Sequence, residues 1–253
     1  MTWVEGIALA GVAMAAGAIN AIAGGGTLLT FPALIAFGSP PIVANATSTL
    51  ALMFGTTGSL VGFRRHLAAI RPWLRIFGPV SLVAGAAGGW TLTHTSERVF
   101  SRLVPFLILF ATVVFLLQGA FRKLADPERR LAVPVWVAVV FQFLVAFYGG
   151  YFGAGIGILM LASFGMMGLT NLHEMNALKT VLSALVNVVA TVVFVFAGIV
   201  DWPRAGVMTA GALVGYYIGS HGSQRIDVRH ARRIVVAIGI GLSAYAFWRE
   251  FAR

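Results

Sequence analysis

The chain has 253 residues, of which 59% are hydrophobic and only 10% charged, with a mean hydropathy of +0.90; a water-soluble domain carries about 25% charged residues, so water is excluded as its main solvent. The formal net charge of +10 would suggest nucleic acid in a soluble protein, but these cations sit in short connections between apolar segments, which is a membrane-orientation signal, and no basic face with interleaved aromatics appears. With no cysteine in the chain, disulfides, thiolate metal sites and cysteine nucleophiles are excluded as well.

A helix crosses the hydrocarbon layer with roughly 20 apolar residues. The first such segment, 3–23, follows Met1-Thr2-Trp3-Val4-Glu5 with no basic start, and we read it as a retained helix and not a cleaved signal. The run Gly24-Gly25-Gly26 breaks it, a short segment covers 27–37, and longer ones cover 42–63, 73–92 and 103–121. A polar connection, Arg122 to Arg130, leads to 133–152, a second break Gly153-Ala154-Gly155-Ile156-Gly157, a short 158–167, and then 172–200, 205–218 and 234–248. At about 1.5 Å per residue the two short segments cannot span as straight helices, so they are expected to be broken or re-entrant. The expected fold is an all-α polytopic membrane helix bundle, one transmembrane domain over 1–253.

The two halves align without a gap at an offset of 131, the spacing from Gly24 to Gly155. Ala23, Gly26 and Leu28 meet Ala154, Gly157 and Leu159; Asn45, Ala46 and Thr49 meet Asn176, Ala177 and Thr180; Pro72 meets Pro203 and Gly88 meets Gly219. Paired Asn and paired Pro at one offset mark a duplication, with repeat one at 3–121 and repeat two at 133–251. If the short segments cross, three clusters fall on one side: Arg64, Arg65, Arg71 and Arg75; Arg122, Lys123, Arg129 and Arg130; Arg225, Arg229, Arg232 and Arg233. The orientation rule makes that side cytoplasmic and puts both ends of the chain outside. The charge pattern therefore favours inverted repeats of five segments each, the geometry in which secondary transporters place one site at a pseudo-two-fold axis.

Irregular backbone at membrane depth is tolerated where it lines a cavity or is buried in protein. The breaks at Gly24, Gly25 and Gly26 and at Gly153, Gly155 and Gly157 would expose backbone N–H groups at the start of a short helix, where the dipole attracts anions. Close helix packing is the other use of such glycines, and we favour it for Gly211, Gly215 and Gly219. Asn45, Thr47, Ser48 and Thr49 open the third segment, and Asn176, Lys179, Thr180 and Ser183 occupy the equivalent region of the second half. Neutral donors with one cation and no carboxylate suit an oxyanion; capping or cross-linking helices is the other use of Asn45 and Asn176. Lys179 is the one Lys or Arg well inside an apolar segment, and an intramembrane charge is expensive enough to imply function, unless its stem snorkels to the surface. Glu174, His173, Asp201 and Arg204, near segment ends, are expected to cap or pair at the interface. His173-Glu174 is not followed by the second His of a zinc-protease helix, and no Gly-x-Ser-x-Gly elbow or phosphate-loop pattern occurs, so neither an enzyme nor a cofactor or metal is expected.

Ala23-Gly24-Gly25-Gly26-Thr27-Leu28-Leu29-Thr30-Phe31-Pro32 and Pro40-Pro41-Ile42-Val43-Ala44-Asn45-Ala46-Thr47 resemble the N-terminal signature of the sulfite exporter (TauE/SafE) family of bacterial membrane permeases. The run Gly149 to Gly157, Asn176-Ala177-Leu178-Lys179, and Gly198-Ile199-Val200-Asp201-Trp202 resemble its later motifs, with Ile156 a departure inside the second glycine cluster. The resemblance implies a multi-pass transporter of the cytoplasmic membrane that moves small sulfur-containing anions such as sulfite, thiosulfate or organosulfonates. The bottom-up expectation beside it is one small anion near the midplane, with the two breaks giving backbone donors, Asn45, Thr49, Asn176 and Thr180 orienting the ligand, and Lys179 supplying charge. The lipid bilayer is the expected surrounding partner, a proton or other ion a possible coupling partner. An anion channel, a non-transporting scaffold and a permease for other metabolites are the competing readings.

Overall fold

A chain in hydrocarbon has to satisfy its own backbone, and an open chain does so as helix. The computed structural model describes residues 1–22, 25–58, 67–124, 134–167, 169, 171–222 and 228–251, and these form ten helices and no strand. They are α1 (Trp3–Ile22), α2 (Thr27–Ala36), α3 (Pro41–Gly58), α4 (Leu67–Thr93), α5 (Glu97–Leu124), α6 (Val135–Tyr151), α7 (Ile156–Met166), α8 (Leu172–Phe196), α9 (Trp202–Gly222) and α10 (Val228–Phe251). All ten expected segments are present. Helices α4 and α5 start earlier than hydropathy marks, because hydropathy reports the stretch in hydrocarbon while the helices run on through charged turns holding Arg71, Arg98 and Arg102. Helix α8 stops at Phe196, short of Val200, where Gly198 turns left-handed at φ +69°. Within the chain, Trp3–Ala21, Leu67–Thr93, Glu97–Leu117 and His173–Phe196 are long and apolar enough to cross a membrane; α2, at 10 residues, reaches about 15 Å.

The bundle is apolar outside and partly polar inside, as a lipid solvent requires. Trp3, Val4, Ile7, Val83, Trp136, Leu144 and Phe196 are exposed, whereas Thr30, Asn45, Thr47, Ser48, Ser81 and Gln142 are buried. Four of these bond in pairs, Gln142 Nε2 donating to Ser81 Oγ at 2.8 Å and Thr30 Oγ1 lying 2.6 Å from Ser48 Oγ, while Asn45 and Thr47 bond to backbone groups of Tyr151 and Asp201.

Packing follows the glycines. Gly211, Gly215 and Gly219 of α9 lie on the backbone of Ala10, Met14 and Ala18 of α1, and Gly17 of α1 lies on Ala212, so the two helices run side by side in one direction. This is the packing use expected of the Gly211 set. Gly88 of α4 rests on Phe147 and Tyr151 of α6, and Gly150 rests on Gly85, again side by side. Under the 131 offset α1 corresponds to α6 and α9 to α4, so each contact is the image of the other. The same exchange relates α3·α9 to α8·α4, α1·α2 to α6·α7, α2·α3 to α7·α8, and α5·α7 to α10·α2. Each lobe thus mixes both halves of the chain, α1, α2, α3 and α9 on one side and α6, α7, α8 and α4 on the other, with α3 against α8 at the seam.

Polar bonds tie one end of the bundle. Arg204 of α9 donates from Nε to Glu5 Oε1 at 2.7 Å, from Nη1 to Ser39 Oγ at 2.7 Å and from Nη2 to the Phe37 carbonyl at 2.9 Å, and pairs with Asp201 at 3.2 Å. Nearby joints are Glu97 accepting from the Ile42 N–H at the start of α3, Thr47 accepting from the Asp201 N–H, and the Tyr151 hydroxyl donating to Thr95.

Candidate functional site

The first break is a closed polar joint. Gly24 lies outside the described residues; Gly25 is buried at φ +91°, and a β-carbon there would strike the ring of Phe115. The Gly26 N–H donates to Asn20 Oδ1 at 3.3 Å, and the Ala16 carbonyl sits 2.8 Å from where a Gly26 β-carbon would stand. Asn20 Nδ2 donates to the Tyr216 hydroxyl, which lies 2.8 Å from Thr56 Oγ1. Because Thr56 itself donates to the Leu52 carbonyl at 3.0 Å, the protons run in one order, Asn20 to Tyr216 to Thr56 to Leu52, binding α1, α9 and α3. One amide of the first break is therefore committed to a side chain.

The second break is built differently. Gly153 and Gly155 adopt φ +83° and +81°, conformations that cost an L-residue about 1–2 kcal/mol. Phe152 and Gly153 N–H both donate to the Tyr148 carbonyl, at 2.8 and 3.1 Å, and the Tyr148 hydroxyl donates to the Ala154 carbonyl at 2.8 Å, which pins the loop. Asn45 of α3 donates from Nδ2 to the Tyr151 carbonyl at 3.0 Å. The ladder of α7 opens with Ile158 and Leu159 donating to the Gly155 carbonyl at 3.0 and 3.4 Å, so the Ile156 and Gly157 N–H groups lie outside it, as at any helix start.

Lys179 meets this helix start. Its Cδ lies 3.2 Å from where a β-carbon on Gly157 would stand, so the lysine stem occupies the space that glycine leaves. Its Nζ donates to Asn176 Oδ1 at 3.1 Å. Thr180 turns its hydroxyl proton back to the Asn176 carbonyl at 2.7 Å, and Thr49 does the same to Asn45 at 2.9 Å. The two breaks converge on α5: a β-carbon on Gly25 would strike the Phe115 ring, and one on Gly155 would stand 3.6 and 3.7 Å from Val114 and Phe115, in the second half of that helix.

The structure therefore brings Gly155, Gly157 and Lys179 together at the start of α7, with Asn176 bonded to Lys179, Thr180 turned back onto the Asn176 carbonyl, and Asn45 holding the segment that enters the helix. Gly25 lies across Phe115, and Gly26 belongs to the Asn20–Tyr216 joint. Glu174 is an end-of-helix group: Asn171 caps α8 by accepting from the His173 and Glu174 N–H groups and donates to Glu174 Oε1 at 2.8 Å. Asp201 and Arg204 likewise pair at a bundle end. Sequence reasoning missed Asn20, Tyr216 and Phe115. Asn20 carries the same signal as Asn45, an amide in an apolar run; Phe115 carries none, since one more phenylalanine among 19 says nothing of its neighbours. Of the charge clusters, Arg64, Arg65, Arg129, Arg130 and Arg225 lie outside the described residues.

The sequence profile described as Sulfite exporter TauE/SafE matches residues 9–246. A probable membrane transporter protein of Haemophilus influenzae is 34% identical over 215 residues, covering 83% of this chain and 81% of the relative. The probable membrane transporter protein YfcA of Escherichia coli is 28% identical over 233 residues, 92% of this chain and 86% of its own. A Sinorhizobium protein, probable membrane transporter protein ORF9, is 29% identical over 241 residues, with 91% and 88% covered. No solved structure matches the chain. Helices of spanning length, an apolar exterior and this match over nearly the whole sequence make the chain a multi-pass transporter of the bacterial inner membrane, and it belongs to the sulfite exporter TauE/SafE family.

Proposed function

We propose that the protein is a secondary transporter, working as an exporter, of small sulfur-containing anions such as sulfite, thiosulfate or organosulfonates, with one anion held at the start of α7. The observation that carries this reading is the lysine stem laid against Gly157. It brings the one lysine of the membrane interior to a helix start whose first amides lie outside the helical ladder. Ammonium, amide N–H and the positive end of a helix dipole favour the same charge. Asn176 Oδ1 accepts from the ammonium and steadies it one turn toward the start of α8. Gly155 and Gly25, both set against Phe115, supply the tight turns that let both short helices begin there.

Alternating access by inverted repeats is the mechanism this reading adopts. It is supported by the exchange of helix contacts between halves at the 131 offset and by the α3·α8 seam between two mixed lobes, since a site at such a seam is reached from either side by rocking one lobe on the other.

Ligand-dependent thermal stabilisation of the purified protein tests the chemistry, because a ligand that prefers the folded state raises its apparent stability. Sulfite, thiosulfate and alkanesulfonates are expected to raise the melting temperature, and Lys179→Ala and Asn176→Ala to abolish the rise. Stabilisation by amines or neutral solutes alone would refute an anion site. Saturable counterflow in proteoliposomes separates a carrier from a channel.

A further inference from the structure

Asn45 is 1% exposed, and its two amide atoms have unequal fates. The atom facing the Tyr151 carbonyl at 3.0 Å has to be Nδ2, since two oxygens cannot share a bond there. That orientation leaves Oδ1 buried with no hydrogen-bond partner. The equivalent residue of the second half, Asn176, is different: its Oδ1 accepts from the Lys179 ammonium. At the 131 offset the position of Lys179 is taken in the first half by Ser48, whose hydroxyl is joined to Thr30. The duplication has kept the acceptor and replaced its donor.

Asn45, which carries the unmet oxygen, is bonded to the segment that leads into the site already proposed. Asn45 donates to the Tyr151 carbonyl where the second break begins, and the Lys179 stem lies against Gly157 where it ends, so the residue that carries the orphan acceptor and the lysine are fixed to the two ends of one seven-residue segment, 151–157. An anion without hydrogens would leave Asn45 Oδ1 unsatisfied in a dry interior, and an unsatisfied buried acceptor is costly. A ligand that brings its own O–H or N–H would satisfy it.

We infer that Asn45 is a specificity residue selecting, among small anions, those that also carry a hydrogen-bond donor: the charged end lies at Lys179 and the start of α7, and the donor on Asn45 Oδ1. This rests on the anion site proposed above. The test uses two sulfonates of nearly equal shape, 2-hydroxyethanesulfonate and propane-1-sulfonate, titrated against the full-length purified protein with thermal stabilisation as the readout. The hydroxylated sulfonate is expected to bind about tenfold more tightly, the scale set by satisfying one buried acceptor. In Asn45→Leu that preference is expected to vanish or reverse. Equal binding of the two sulfonates by the unaltered protein would overturn the inference and leave the anion site standing, even if Asn45→Leu fails to fold. Binding of neither, with stabilisation only by uncharged or cationic compounds, would overturn the anion site and this inference with it.

Discussion

Gly25 and Gly155 occupy the same kind of left-handed turn, at φ +91° and +81°, yet an added methyl group meets different surroundings at each. At Gly155 the nearest atoms, Val114 Cγ1 and Phe115 Cε2, stand at ordinary contact distance, so Gly155→Ala is expected to cost about 1–2 kcal/mol, the conformational penalty alone. At Gly25 the methyl would drive into a fully buried Phe115, adding an overpacking cost, for a total of about 3 kcal/mol. Phe115→Leu is expected to recover about 1 kcal/mol in the Gly25→Ala background and nothing in the Gly155→Ala background. Thermal unfolding of the five variants in detergent reads these differences; equal losses at the two glycines would show that φ alone governs both. The need for glycine here was legible, because consecutive glycines between two apolar runs mark a break. Their meeting on Phe115 was not, because an aromatic in a lipid-spanning helix has the same pattern whether it faces lipid or a turn.

Helices were legible from hydropathy wherever they touch hydrocarbon and illegible where they leave it. The first turns of α4 and α5 carry arginines, and the ends of the bundle are joined by bonds between residues far apart in sequence. Asp201 and Arg204, three apart, could be paired on sight, but Glu5 stands 199 residues from Arg204 and nothing in the chain announces that they meet. Their side chains are 12% and 17% exposed, between the surface pairs that contribute under about 1 kcal/mol and the buried ones whose disruption costs about 3–5. Arg204→Met, which strips bonds to Glu5, Asp201, Ser39 and the Phe37 carbonyl at once, is expected to lose about 2–3 kcal/mol of apparent stability, and Glu5→Gln less. Arg204→Lys should recover little, since an ammonium cannot spread over four acceptors as a planar fork does. Melting temperatures that fall in the reverse order would mean that Glu5 is held chiefly by groups other than Arg204.

Across the whole molecule the sequence match at offset 131 told which residues correspond but not which helices touch, because the glycines that decide contact meet ordinary residues such as Ala10 and Met14. The packing shows how two divergent halves fit: where Gly55 of α3 makes room for the Tyr216 ring of α9, the equivalent contact has Val186 of α8 against Gly85 of α4, so the bulk has changed sides and the volume is kept. Whether the halves are inverted in the membrane is decided by sidedness. Pro40 and His173 are exposed and precede or open the equivalent helices α3 and α8. Inverted repeats place them on opposite faces, Pro40 outside and His173 at the cytoplasm with the arginine clusters; parallel repeats place them on one face. Since the chain has no cysteine, Pro40→Cys and His173→Cys each report a single position. Pro40→Cys is expected to react with a membrane-impermeant maleimide on intact cells, and His173→Cys only after permeabilisation. Labelling of both before permeabilisation, or of neither, would refute inversion, and with it the two-fold relation on which alternating access about the α3·α8 seam depends.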